Sequence, residues 1–264
     1  MLRRLLRGQI DWTRLEAVVR GVIERYDEPA ARVEFLEADN WLSTPMVVND
    51  RYFVKAISEQ HSLLHAVLTT GRNVGAFTSG TEGFFEHFGT PLQMAEHELE
   101  ATREMAAVGL NVPEPIEAFE VEGLGVLVLG YVPEFRSLEQ LEPREVRAFA
   151  PDLLAALDQM HAAGLAHGDL RSENVLVSGD DLYFIDATSV RDGIDEARAY
   201  DIACALGVLA ALLGPRETVA LAVDQIDIDA LLEAREFLDF VTIRPDHDFD
   251  AGAVKGEIEN RAAN

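Results

Sequence analysis

From His167 to Thr188 the chain reads HGDLRSENVLVSGDDLYFIDAT, and this stretch constrains the fold more than any other. NVLVS (174–178) and DLYFIDA (181–187) are short β-rich runs on either side of Gly179-Asp180, the pattern of a hairpin. Asp169 stands five residues before Asn174, which opens the first strand, and Asp186 ends the second. Taken singly, Gly168-Asp169 is a turn, Asn174 a strand start and Asp186 a strand-ending carboxylate. Their spacing as a set weakens that reading.

The rest of the composition bounds the possibilities. A length of 264 residues suits one large domain or two small lobes with a substantial core. Asp and Glu number 47 against 22 Lys and Arg, a net charge of −25 and a sequence pI near 4.5. Such a field repels polyanions, so neither duplex nucleic acid nor an anionic membrane is an expected partner. A carboxylate-dense, lysine-poor surface has the composition of a halophilic protein from a salt-saturated cytoplasm, where screening suppresses self-repulsion. The lone Cys204 forms no disulfide within the chain, in keeping with a reducing, cytoplasmic setting. MLRRLLRGQI lacks the apolar stretch of a signal peptide, and the apolar run from Ile202 to Gly214 is too short for a membrane span.

Along the chain, residues 13–26 predict an amphipathic helix opened by a Thr13/Glu16 capping box. VEFLEAD (33–39), TPMVVND (44–50) and RYFVKAIS (51–58) predict strands, the last two a hairpin turning at Asn49-Asp50. Residues 59–69 predict a helix, followed by a glycine- and phenylalanine-rich insert over 70–91. A helix over 92–108 stops at Gly109, and 114–132 predicts two antiparallel strands turning near Gly123. Helices are then expected over 143–163, 195–213 and 227–241. The expected organisation is an N-terminal helix (1–28), a β-rich lobe (29–131) and a helical lobe (132–264), an α+β arrangement.

Two further residues stand out. The cations are nearly all Arg; the lysines are Lys55 and Lys255 alone. Lys55 falls in the middle of an apolar strand, where an ammonium is costly unless paired. The helix that follows offers Glu96, Glu98, Glu100 and Glu104. Met94, Glu98, Ala101 and Met105 share one helical face, so Glu98 is the expected partner, with Glu100 second.

HGDLRSENVLV followed by LYFIDATSV resembles the RIO family of atypical kinases, and with AVGLNVPEP also the small archaeal kinases associated with tRNA modification. The resemblance covers roughly residues 33–213. It implies a two-lobed protein-kinase-like fold, with a β-rich N-lobe and a helical C-lobe, ATP and Mg²⁺ as cofactors, and an ATP-dependent phosphotransferase, most closely a serine/threonine protein kinase or ATPase. On that analogy Asp169 is the catalytic base, Asn174 and Asp186 hold Mg²⁺, and Lys55 with Glu98 positions the nucleotide phosphates. Arg171 would neutralise charge on the transferring phosphoryl group or pair with a carboxylate, and Asp201 in RAYDIACAL would brace the catalytic loop or serve as an ordinary helix carboxylate. EADNWLSTP (37–45) lacks the usual glycine-rich turn; Ser43 and Thr44 would offer hydroxyls to phosphate in its place, or serve turn chemistry before Pro45. Ala187-Thr188 replaces the usual Phe-Gly, and the short segment from Asp186 to Asp201, without Ala-Pro-Glu, speaks against ordinary peptide substrates. The acceptor is therefore an unknown protein or small molecule. A small-molecule kinase of the aminoglycoside or lipopolysaccharide type and a non-enzymatic ATP-binding module are the alternatives. Walker, GxSxG and HExxH patterns are absent, and His61 and His65 lack a third ligand.

Overall fold

The computed structural model describes residues 10–36, 43–59, 89–187, 194–243 and 248–263. The predicted helix over 59–69 and nearly all of the insert over 70–91 lie outside the described residues. The chain forms two compact units; the first takes described residues up to 59 together with 89–103 and 113–133, and the second takes 104–112 and everything from Glu134 onward.

The first unit contains α1 (Trp12–Arg25), β1 (Val33–Phe35), β2 (Thr44–Val48), β3 (Tyr52–Ile57), α2 (Pro91–Ala107, to residue 103), β4 (Pro115–Val121) and β5 (Leu124–Gly130). The five strands form one antiparallel sheet in the order β1-β2-β3-β5-β4. Two left-handed residue pairs make its tight turns, Asn49/Asp50 with φ of 57° and 51° and Glu122/Gly123 with φ of 51° and 73°. Such turns match the right-handed twist of the strands they join. Helix α1 begins two residues earlier than a Thr13 cap predicts. Its N-cap is therefore Asp11, whose side chain accepts from the Arg14 amide at 3.1 Å, while Glu16 pairs instead with Arg20.

Helices cover both faces of this sheet. Val18 and Val22 of α1 pack with Met46, Val54, Val126 and Val128, and Ala95 and Leu99 of α2 pack with Ile57, Leu127 and Leu129. Strand β5 is thus buried on both sides, which is why LGVLVLG runs apolar without alternation. Gly125 on β5 is demanded by this packing, since a Cβ there would lie 2.1 Å from the Pro91 carbonyl oxygen at the start of α2.

The second unit contains β6 (Arg136–Ser137), α3 (Pro143–Ala162), β7 (Val175–Ser178), β8 (Asp181–Phe184), α4 (Ile194–Leu213), α5 (Pro215–Ala222), α6 (Ile228–Arg235), α7 (Leu238–Thr242) and α8 (Ala251–Ala262). The strands form a small antiparallel sheet, β6-β7-β8, and α4 packs against α3, α5, α6 and α7. The helix predicted over 227–241 is two helices. Phe237 donates its amide to the Ala234 carbonyl, a tighter i→i−3 bond that ends α6 and turns the chain before α7. Among the described residues no helix is long and apolar enough to cross a membrane.

These contacts give opposite expectations for two glycines. Gly125→Ala should destabilise the protein by about 1–3 kcal/mol, the cost of overpacking. Gly256→Ala, at a position in α8 with nothing within 4 Å of the added carbon, should stabilise it by about 0.5–1 kcal/mol. Urea midpoints of the two variants check both signs.

Candidate active site

In the second unit the loop from His167 to Asn174 is held at its backbone from several directions. Asp201 lies in the middle of α4 and is fully buried. Its carboxylate accepts from the His167 amide at 2.6 Å and from the Gly168 amide at 2.8 Å. The ring of His161, at the end of α3, stands 3.2 Å from the same carboxylate through Nε2; a carboxylate in this role only accepts, so that nitrogen carries the proton. Arg198, one turn before Asp201, donates to the His161 carbonyl. The next amide, that of Asp169, donates to His167 Nδ1 at 3.3 Å. Three consecutive N–H groups thus have assigned acceptors, and Gly168 takes the left-handed φ of 76° that this path needs. Asp201 is accordingly a helix-interior brace for the loop and not a helix-terminal carboxylate.

Beyond Asp169 a second set of bonds closes the loop. Asn174 Nδ2 donates to the Asp169 carbonyl at 2.8 Å, which turns the amide oxygen Oδ1 to the other side. Arg171 pairs with Glu173, lies 3.4 Å from Asp169 Oδ2 and approaches Asn174 Oδ1 at 3.5 Å. Its charge is therefore shared among the carboxylates of its own loop. The Ile185 amide donates to the Asn174 carbonyl at 3.1 Å, joining the two outer ends of the β7–β8 hairpin. The next residue, Asp186, has a left-handed φ of 59°. A non-glycine residue there is uncommon, and Asp tolerates the conformation better than most. The Phe184 amide donates to the Asn111 carbonyl, anchoring β8 to the AVGLNVPEP segment.

His167 is fully buried, and its imidazole pKa lies below the ordinary value. Burial is the main cause; Asp201, Asp169, Asp186 and a backbone hydrogen bond at Ile185 act in the opposite direction. A neutral ring is what its role requires, since Nδ1 accepts the Asp169 amide.

In the first unit Lys55 and Glu98 form a two-point ion pair, with Nζ 2.9 Å from Oε1 and 2.8 Å from Oε2. Their side chains are only 7% and 15% exposed. The candidate glutamates separate here: Glu96 and Glu100 are exposed, the latter 3.7 Å from Arg103, and Glu104 is half-buried. Cross-strand register pairs Pro45 with Lys55 and Thr44 with Ala56. Paired residues share a face of the sheet, so Thr44 belongs to the α1 side with Met46 and Val54, opposite the α2 side that holds Lys55. Ser43 is buried, and its hydroxyl has no hydrogen-bond partner among the described residues. Residues 37–42 of the same loop lie outside the described residues.

The donor set suits a hard cation. Asn174 Oδ1 and the Asp186 carboxylate are oxygen donors on one hairpin and could serve as the one or two protein ligands that Mg²⁺ takes when phosphates and water complete its shell. Among the described residues no group of three or more His, Cys, Asp or Glu side chains forms a metal cluster of its own.

A β-sheet unit with a buried lysine–glutamate pair, followed by a helical unit with a braced Asp–Asn loop and a hairpin-borne Asp, defines the two-lobed kinase-like class. Within that class, residues 90–198 match the model of the RIO domain, a span that includes Glu98, Asp169, Asn174 and Asp186. No curated protein matches the chain. Among solved structures, an aminoglycoside-3'-phosphotransferase of type VIII is similar over 87% of this chain and 99% of its own, with a TM-score of 0.51 and 19% identity. The PknI kinase domain of Mycobacterium tuberculosis is similar over 88% of this chain and 96% of its own, with a TM-score of 0.45 and 15% identity. The PAN3 pseudokinase of Neurospora crassa matches 84% of this chain at a TM-score of 0.42 and 14% identity, and this chain spans 57% of the PAN3 chain.

Two outcomes are expected from the brace. Asp201→Ala should destabilise the protein by about 1.5–3 kcal/mol for each charged hydrogen bond lost, seen as a lower urea midpoint. The second concerns pH. With its folded pKa depressed, His167 stays neutral while the unfolded chain takes up a proton below about pH 6.5, so its contribution to stability is present above that pH and lost as pH falls through the window beneath it. Unfolding free energies at pH 7.5 and 5.5 should therefore differ more in the wild type than in His167→Gln.

Proposed function

We propose that the protein is an ATP-dependent phosphotransferase that acts as a RIO-type serine/threonine protein kinase or ATPase. The observation that carries this reading is the loop 167–174, whose backbone is bonded on both sides of Asp169 while Asn174 and Asp186 are joined through the Ile185 amide. A fixed carboxylate beside paired oxygen ligands is what phosphoryl transfer requires, because that reaction is accelerated by positioning and charge stabilisation more than by covalent chemistry. In this reading Asp169 orients the attacking hydroxyl, or a water, and accepts its proton. Asn174 and Asp186 hold Mg²⁺, which supplies charge neutralisation on the phosphates. Lys55, kept in place by Glu98, binds the nucleotide phosphates, and the unpartnered Ser43 hydroxyl is a donor to them. A buried ion pair of this kind contributes little net stability, so its presence is better accounted for by binding than by folding. Arg171, bound within the loop, sets the charge around Asp169 and Asn174.

A small-molecule kinase is the second reading, supported by the near-complete coverage of the aminoglycoside-3'-phosphotransferase fold and by the short stretch between Asp186 and Asp201.

The test is Mg²⁺-dependent transfer from γ-labelled ATP at molar KCl. Asp169→Ala should lower turnover by about 10²–10⁴-fold, the usual contribution of a positioned base, with nucleotide binding retained. Asp186→Ala should weaken Mg-ATP binding as well. Label on protein identifies a protein kinase, free phosphate an ATPase, and label on an added small acceptor the second reading. Unchanged turnover in both variants would overturn the assignment of the site.

A further inference from the structure

The chain is so acidic that an arginine without a carboxylate beside it is unusual. Among the described residues most guanidiniums lie within 4 Å of an Asp or Glu, and Arg14 donates instead to the Glu122 carbonyl. Arg144, Arg216 and Arg261 have neither an ion pair nor a hydrogen bond there. Two of these three, Arg216 on α5 and Arg261 on α8, line a single surface cavity of about 490 Å³ in the second unit. The two helices pack on each other, which holds the arginines on a shared frame. The cavity's one carboxylate, Glu217, is already taken by Arg147 and brings no uncompensated negative charge. Leu213, Pro215 and Ala220 supply apolar walls. A dipole argument explains a cation in the last turn of α8; it does not explain two unpaired guanidiniums facing one cavity in a chain of net charge −25.

We propose that this cavity binds a phosphate monoester through Arg216 and Arg261, with the apolar walls against the body of the ligand. Guanidiniums bind phosphate oxygens through paired, charge-assisted hydrogen bonds. The charge selects the ligand class: a phosphate monoester carries close to two negative charges at neutral pH and balances two guanidiniums, whereas a carboxylate balances one. A cavity of this size is at the lower-middle of the range for small-molecule sites. Helix α5 also packs on α4, the helix that carries Asp201, so the site sits on an element adjoining the brace of the Asp169 loop and contains none of the site residues themselves.

Phenyl phosphate, inorganic phosphate and benzoate, each titrated at constant ionic strength with chloride as the control, test this by thermal shift and calorimetry. The heat of binding should saturate, and the melting temperature should rise with the logarithm of ligand concentration above Kd, as for any ligand specific to the folded state. Phenyl phosphate should bind more tightly than inorganic phosphate, and benzoate more weakly than either. Arg216→Gln and Arg261→Gln should each weaken phosphate binding by about ten-fold or more, the scale of one charged hydrogen bond, and the double variant should abolish it. Both side chains are exposed, so melting without ligand should be unchanged, which separates lost binding from lost folding. Lys55→Met should keep the response, which separates this cavity from phosphate bound at the proposed nucleotide site. The proposal is overturned by no saturable response in the wild type, by an undiminished response in the double variant, by loss of the response in Lys55→Met, or by benzoate binding as well as phenyl phosphate.

Discussion

Asp201 gives both of its carboxylate oxygens to the loop that precedes Asp169, and the buried imidazole of His161 provides a third partner. A carboxylate with no exposure to solvent is tolerated only when its lone pairs are used, and here a charged acceptor serves two consecutive backbone amides. The loop acquires its course from that anchor. Gly168 can follow it in a left-handed conformation, the Asp169 amide then meets the His167 ring, and the Asn174 side chain closes the far end on the Asp169 carbonyl. Remove the carboxylate and each later bond loses the geometry that made it possible.

The first unit solves a different problem with the same economy. A five-stranded sheet covered by α1 on one side and α2 on the other would be an ordinary apolar sandwich if Lys55 were absent from its central region. Glu98 makes the lysine tolerable, and Gly125 lets the start of α2 come down onto β5 without an intervening side chain. The close approach at Pro91 thus fixes the seating of the helix whose second turn carries Glu98. Packing and charge pairing are in this way coupled: a shift of α2 that relieved a crowded contact would also move the carboxylate away from its partner.

Much of this was legible in the residues themselves. Lys55 stood out because a lysine-poor chain kept one inside an apolar strand, and Glu98 because it fell on the apolar stripe of α2 with Met94, Ala101 and Met105. The Asp169, Asn174 and Asp186 set stood out through the resemblance of HGDLRSENVLV and LYFIDATSV to kinase loop motifs, supported by their short spacing. The Asp11 cap is hidden because the Thr13/Glu16 pattern imitates a capping box two residues too late, and α6 and α7 read as one helix because their apolar positions continue across the break at Phe237. The short helices α5 and α8 went unread, so the pairing of Arg216 with Arg261 across them carried no sequence signal.

What the sequence determined alone was therefore local: strand and helix periodicity, the β-rich and helical halves, and the oxygen-bearing residues clustered around one hairpin. Those signals depend on neighbours within a turn or a ladder step, and a single chain displays them directly. Tertiary structure decided the rest. Only the ladder register could put Thr44 on the opposite face from Lys55, only helix seating could select Glu98, and only the packing of α4 beneath the loop could bring Asp201 to amides 33 and 34 residues earlier. Contacts at that separation are chosen by the whole fold, because each requires a backbone group and a distant side chain to be placed together before either gains from the bond.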